Sequence, residues 1–287
     1  MSDATRFDYP WVILSLKGIL FAVSADAVQA MVRVPRIVEV PKSPSYVRGV
    51  AEMRGKVIPF VDLRLRLGMS SFLEEVDQFC LMMDQREAEH RHWLSELEAS
   101  VKERREFALA TDHHQCAFGK WFDTYNPSDH TLASLVGKFR NPHRAIHGIA
   151  KKVKKLESEG RMEEAHRIID ECQENELAEM ILLFGKIKEA YRENNREIAL
   201  LLADGGSSFA IAVDTVEMID YLSEEVSSEA RTDGITLTEG GLVSSIGRRK
   251  NHDELVLILD HARLLDEEVD GEGLASLAEA VQQASAV

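Results

Sequence analysis

Pro142-His143-Arg-Ala-Ile-His147 sets two histidines four residues apart, and two patterns precede it, His90-Arg-His-Trp93 and Cys116-Ala-Phe-Gly-Lys-Trp121. On a helix, residues four apart stand one above the other with Cβ atoms about 5–6 Å apart, a spacing that chelates one ion. Together the patterns offer imidazoles and one thiolate, donors that tetrahedral zinc accepts. Residues 90–147 hold seven of the ten histidines and one of the three cysteines. They read helical while both flanks read as strands. The expectation is an α+β chain, a metal-holding helical module spliced into a β-rich domain.

Working outward, Trp93, Leu94, Leu97 and Val101 recur at three- and four-residue spacing, which predicts an amphipathic helix from about Arg86 to Phe107. A second helix is expected from near Cys116 to the Asn126-Pro127 break, and a third over 129–157 with an interruption at Pro142, which has no backbone donor. A fourth runs from Met162 to Glu193. Four helices that each bury one stripe are best satisfied in a bundle.

The flanks alternate apolar runs with turn residues. Trp11–Leu16 and Gly18–Val23 read as strands turning at Lys17-Gly18, and Val47–Met53 and Val57–Val61 as a hairpin turning at Arg54-Gly55-Lys56. Asp62 is placed to cap a helical turn ending at Gly68. Phe79-Cys-Leu-Met-Met83 reads as a short strand. Beyond the helices, Ile198–Ala203 and Phe209–Val213 turn at Asp204-Gly-Gly206; Val216–Leu222 follows, then a polar loop over 223–233, then Leu242–Ile246 and Leu255–Leu259. An even number of antiparallel helices returns the chain to where it left, so such a module can sit inside another domain. The expected plan is a discontinuous β domain over 10–84 and 196–266, an insert over 85–195, and a tail over 267–287.

The formal charge of −15 argues against nucleic acid as a partner, which requires clustered cations. No apolar run is long enough to span a bilayer, so no membrane insertion is expected. The N-terminus lacks the apolar core of a secretion signal. Three cysteines would leave one unpaired in a disulfide framework, and a reducing cytoplasm fits this usage.

The stretch Pro41-Lys-Ser-Pro-Ser-Tyr-Val-Arg-Gly-Val-Ala-Glu-Met-Arg-Gly-Lys-Val-Ile-Pro-Phe-Val-Asp-Leu-Arg64 resembles the CheW family of chemotaxis coupling proteins, as do Ala212–Val216 and Leu255–Asp260. Ala51-Glu52 departs from the family's usual Ile/Val-Asn at that place. The resemblance implies a pair of small five-stranded β-barrels and a non-catalytic role linking methyl-accepting chemoreceptors to a CheA-like histidine kinase. It implies partner contact by Arg54, with Gly49 and Gly55 shaping the same hairpin. The three helical patterns resemble the chemoreceptor zinc-binding (CZB) domain, a four-helix module. By that match His90, Cys116, His143 and His147 are zinc ligands.

Other readings stay open beside these. His113 and His114 lie close enough to Cys116 to substitute as a ligand, whereas His92 points away from the face of His90. Cys80 and Cys172 sit in apolar patterns and read as packed thiols. The His-x-x-x-His pair resembles that of zinc peptidases, yet Arg144 stands where their general base belongs. A metal-dependent enzyme and a zinc buffer with purely structural zinc remain as alternatives to an adaptor that senses zinc or an oxidant through Cys116.

Overall fold

The structure, a computed structural model, describes residues 10–226, 241–249 and 254–266. The expected tail over 267–287 and most of the polar loop over 223–233 lie outside the described residues. Two compact units divide the chain: residues 1–74 with 196–287, and residues 75–195.

The first unit is built from two sheets. One contains β1 (Trp11–Leu16), β2 (Ile19–Ser24), β8 (Thr215–Asp220), β9 (Leu222–Val226), β10 (Val243–Arg249) and β11 (Leu255–Leu259), in the order β8-β1-β2-β11-β10-β9. The other contains β3 (Val28–Arg33), β4 (Val47–Met53), β5 (Lys56–Asp62), β6 (Ile198–Asp204) and β7 (Ser207–Val213), in the order β3-β6-β7-β5-β4. Among the described residues, six and five strands replace the expected five and five, because residues 223–226, read as the start of a loop, continue from Leu222 as a strand antiparallel to β10. Their polar sequence is tolerated since an edge strand makes its ladder through the backbone. Among the described residues neither strand order closes into a ring of bonded neighbours, yet β8 and β9 are joined through Tyr221 alone, which brings the two edges of the first sheet to one corner.

Each sheet buries both faces, which explains the near-continuous apolar strands. Val12, Leu14 and Leu16 of β1 join Val61, Leu200, Leu202, Ile211 and Val213 of the second sheet in one shared core. The alternate residues Trp11 and Ile13 face a separate core with Ala22, Val256 and Ile258. Ala51, Ile58, Phe60, Leu201 and Ala212 fill the corresponding core behind the second sheet.

Three hairpins turn through successive residues with positive φ: Lys17 and Gly18, Arg54 and Gly55, Gly205 and Gly206. This backbone matches the right-handed strand twist. After β5 the chain forms α1 (Leu63–Arg66), capped by the Asp62 side chain, which accepts from the Leu65 N–H at 3.0 Å. Buried charge is paired here. Arg48 donates to both Asp62 and Glu197 at 2.6 Å, and Arg64 binds Asp214.

The second unit is helical. It contains α2 (Phe72–Glu103, whose first turn belongs to the other unit), α3 (Ala117–Thr124), α4 (His130–Lys138), α5 (Arg140–Ser158), α6 (Met162–Cys172) and α7 (Ala178–Asn194). The strand expected at Phe79–Met83 is absent: these residues belong to α2, where Val76, Phe79, Cys80 and Met83 continue the buried stripe of Trp93, Leu94, Leu97 and Val101. A short apolar run has no period of its own and takes its conformation from the helix around it. Helix α2 stops at Glu103, short of the expected Phe107, because Arg104 turns left-handed at φ 53°. The Arg105 N–H then reaches the Ser100 carbonyl at 3.0 Å, the closing bond of a Schellman motif.

The expected third helix is two, α4 and α5, joined at Phe139. Pro142 lies in the first turn of α5, where its missing N–H would otherwise have bonded back to Lys138. The fourth is interrupted by a π turn at Gln173–Leu177 between α6 and α7. Phe79 stacks on Tyr191 with centroids 3.7 Å apart, aligning α2 with α7. Among the described residues no helix is long and apolar enough to cross a membrane.

Candidate metal centre

Three elements of the helical unit converge on one point. His90 lies on the buried stripe of α2, His143 and His147 lie one turn apart on the buried face of α5, and Cys116 is the N-cap of α3. The Cys116 sulfur accepts the Gly119 N–H at 3.1 Å. Gly119 has to be glycine: a Cβ there would come within 1.8 Å of the His113 carbonyl oxygen, which lies across the first turn of α3. This contact fixes the loop against the helix that presents the sulfur.

One donor atom from each of His90, Cys116, His143 and His147 lies within 4.8 Å of every other. Cys116 Sγ and His143 Nε2 are 3.2 Å apart. His90 Nδ1 lies 2.7 Å from the Arg86 carbonyl and His147 Nδ1 lies 3.1 Å from the Ala110 carbonyl. A carbonyl oxygen only accepts, so each Nδ1 carries the proton and each Nε2 presents its lone pair. Both Nε2 atoms are buried and make no hydrogen bond. An unsatisfied buried acceptor is costly, and a cation at the centre of the quartet satisfies both at once.

The surroundings keep the imidazoles neutral. Burial holds His143 down to about 2, with His90 and His147 beside it adding repulsion, and burial likewise lowers His147 to about 4. His90 is also lowered by burial, partly opposed by its bond to Arg86. The Cys116 thiol is raised by burial, while the Gly119 and Phe118 N–H groups pull it back. A bound divalent ion reverses that last tendency, because a coordinated thiol is deprotonated outright. Phe118 sets its ring edge-on to both His90 and His143, and Trp93 donates its indole N–H to the same Ala110 carbonyl that holds His147. Three neutral imidazoles and one thiolate fill a tetrahedral zinc and leave no position for an activated water.

Other histidines fall outside. His92 and His130 are exposed, and His114 is tied to Asp123 at 2.7 Å. His113 sits beside the quartet without belonging to it. Cys80 and Cys172 are buried thiols. In the β unit, Arg54 and Gly55 form the exposed tip of the β4–β5 hairpin. Gly49, at φ 133°, lies so close to the neighbouring chain that a Cβ would meet the Val38 carbonyl oxygen at 2.1 Å. Sequence reasoning missed the carbonyls of Arg86 and Ala110, since backbone acceptors leave no mark in residue identity.

Residues 10–109 match the family model of the CheW-like domain, and residues 90–154 match that of the chemoreceptor zinc-binding domain, a span holding all four donors. The chain joins a CheW-like domain to a chemoreceptor zinc-binding domain. The two matches overlap over residues 90–109. The cofactor of the zinc-binding domain is zinc, and its quartet has the donors to hold it. No curated protein matches the chain. Among solved structures, the scaffolding protein TtCheW from Thermoanaerobacter tengcongensis aligns over 92% of each chain at 12% identity and a TM-score of 0.40, a likeness too distant to assign roles.

Proposed function

We propose that this protein is a non-catalytic, cytoplasmic chemotaxis adaptor that couples chemoreceptors to a CheA-type histidine kinase and tunes that coupling through an inserted zinc module. In this reading residues 10–84 and 196–266 form one discontinuous CheW-like domain, and residues 85–195 form an inserted bundle of four helical arms. His90, Cys116, His143 and His147 are its zinc ligands. Arg54, on the exposed hairpin tip shaped by Gly49 and Gly55, contacts a partner.

The observation that carries the reading is the pair of buried, unbonded Nε2 atoms aimed with a thiol at one point, in a chain whose preceding residues match a CheW-like domain. A full set of four protein donors favours a structural or sensing ion over a hydrolytic one. Zinc enforces the thiolate form of Cys116, and an oxidised sulfur is a weaker ligand, so zinc supply and oxidants both act on the same site.

The test combines metal content with binding. Wild type purified without added metal should carry about one zinc per chain by mass spectrometry, and His90→Ala and His143→Ala should carry almost none. Affinity for receptor and kinase should change on chelation and fall in Arg54→Ala. Unchanged affinities in a chelated, folded protein would remove the regulatory part of the proposal and leave a zinc staple.

A further inference from the structure

Three of the four donors are sealed in: His90, His143 and His147 are 1–2% exposed, while Cys116 is only partly buried. The residue that bears the sulfur thus lies on the more open side of the site. On that side lies His113, three residues earlier in the same turn, its carbonyl 3.4 Å from Cys116 Sγ. The turn is closed by the Gln115 N–H on the Asp112 carbonyl at 3.0 Å, so the backbone that presents the sulfur also presents the His113 ring.

The His113 ring centroid is 5.7 Å from that of His143. The His90 and His147 rings, both in the quartet, are separated by the same 5.7 Å. His113 also has no competing bond among the described residues: its ring approaches only the Asp112 carboxylate, at 3.7 Å, and lies against His114. Its neighbour His114 is committed to Asp123. A fourth imidazole, and fifth potential donor, therefore stands at ligand spacing beside the most exposed of the four donor residues.

We propose that His113 is a reserve ligand, which closes the fourth position when the Cys116 sulfur is unavailable, so that the module keeps zinc as a four-histidine site. The proposal rests on the quartet assigned above. The exchange replaces a thiolate by a neutral imidazole and raises the net charge at the ion by one. It also requires the His113 ring to turn inward, which disturbs the carbonyl seated on Gly119. Loss of the sulfur then changes the charge and loop geometry of the site without emptying it.

The experiment uses the full chain and three variants, with zinc affinity measured by chelator competition. Cys116→Ser retains a side-chain oxygen to cap α3. It should hold about one zinc per chain, weaker than wild type by only about 10- to 100-fold, a loss no larger than that caused by removing a hydrogen-bond partner of a ligand. His113→Ala alone should stay within about threefold of wild type, as expected of a residue outside the resting shell. The double variant Cys116→Ser, His113→Ala should weaken by at least a further tenfold or so, since about 1.4 kcal/mol is tenfold. Cobalt loading provides a second readout: Cys116→Ser should lose sulfur-to-metal charge transfer yet keep a four-coordinate spectrum, and the double variant should lose that spectrum. Equal affinity and equal spectra for the single and double variants would overturn the proposal, showing that water fills the vacancy. A folded Cys116→Ser chain that binds no zinc would overturn it as well. Failure of the quartet itself is read separately, as retention of zinc by His90→Ala.

Discussion

The two units bury polar groups in opposite ways. In the β unit, Arg48 is gripped by Asp62 and Glu197, Arg64 by Asp214, and Arg66 donates to the carbonyls of Leu264 and Asp266. In the helical unit, the buried Nε2 atoms of His90 and His147 have no hydrogen-bond partner among the described residues. The first set is charged and neutralised within the polypeptide, whereas the second is a set of neutral lone pairs arranged to hold a cation. The buried Arg48 and Arg64 of the β unit are matched by carboxylates of the chain itself, whereas the donor quartet of the helical unit is matched by a metal ion.

The most severe way to break this contrast is to remove zinc. Chelation should raise amide hydrogen exchange across α3 and α5 by orders of magnitude while leaving β1, β2 and β7 protected. Structural zinc in small peptides supplies about 10–16 kcal/mol, and even a fraction of that exceeds the margin of an ordinary domain. Uniform loosening of both units would refute the contrast.

Next in size is Arg48→Ala, which strands two carboxylates that are 1% and 5% exposed. Breaking one side of a buried pair costs about 3–5 kcal/mol. Denaturant melts should show that loss in the β unit, with zinc content unchanged.

Acid should sharpen the same division. The three buried histidines have folded pKa values below the unfolded 6.5, so the unfolded chain takes up protons first. Helical stability is full above pH 6.5 or so and falls as pH drops towards the folded values. Glu197 has the opposite sign, because burial raises its carboxyl despite Arg48, and this group makes no acid-labile contribution. Thermal melts from pH 7.5 to 5.5 should therefore lower the helical transition before the β transition.

The smallest effect expected is Gly119→Ala, whose Cβ collides with the His113 carbonyl. Overpacking of this kind costs about 1–3 kcal/mol, and here it should appear as weaker zinc binding measured by chelator competition.

Local chemistry was legible in the sequence, and long-range pairing was not. The hairpins followed from Lys17-Gly18, Arg54-Gly55 and Gly205-Gly206, each of which supplies consecutive positive φ values. The four donors came from the resemblance of the three helical patterns to the chemoreceptor zinc-binding domain, and helical spacing alone pointed only to the His143–His147 pair. The reading of Phe79–Met83 as a strand failed although the signal was present: Phe72, Val76, Phe79, Cys80 and Met83 already repeat at three and four. Judging that run alone discarded its phase with Trp93 and Leu97. The Arg48–Glu197 pair spans 149 residues, and nothing in the identity of either residue points to the other. Barrel closure was likewise not a local property; it depends on which strands become edges.

The Ala110 carbonyl accepts from both Trp93 Nε1 and His147 Nδ1, at 2.8 and 3.1 Å, with the two rings 4.8 Å apart. An indole tethered in this way is a native fluorophore wired to the coordination chemistry. A cation held at His147 changes the field across Trp93, so the emission of Trp93, isolated by replacing Trp11 and Trp121 with Phe, is expected to shift when the metal is chelated.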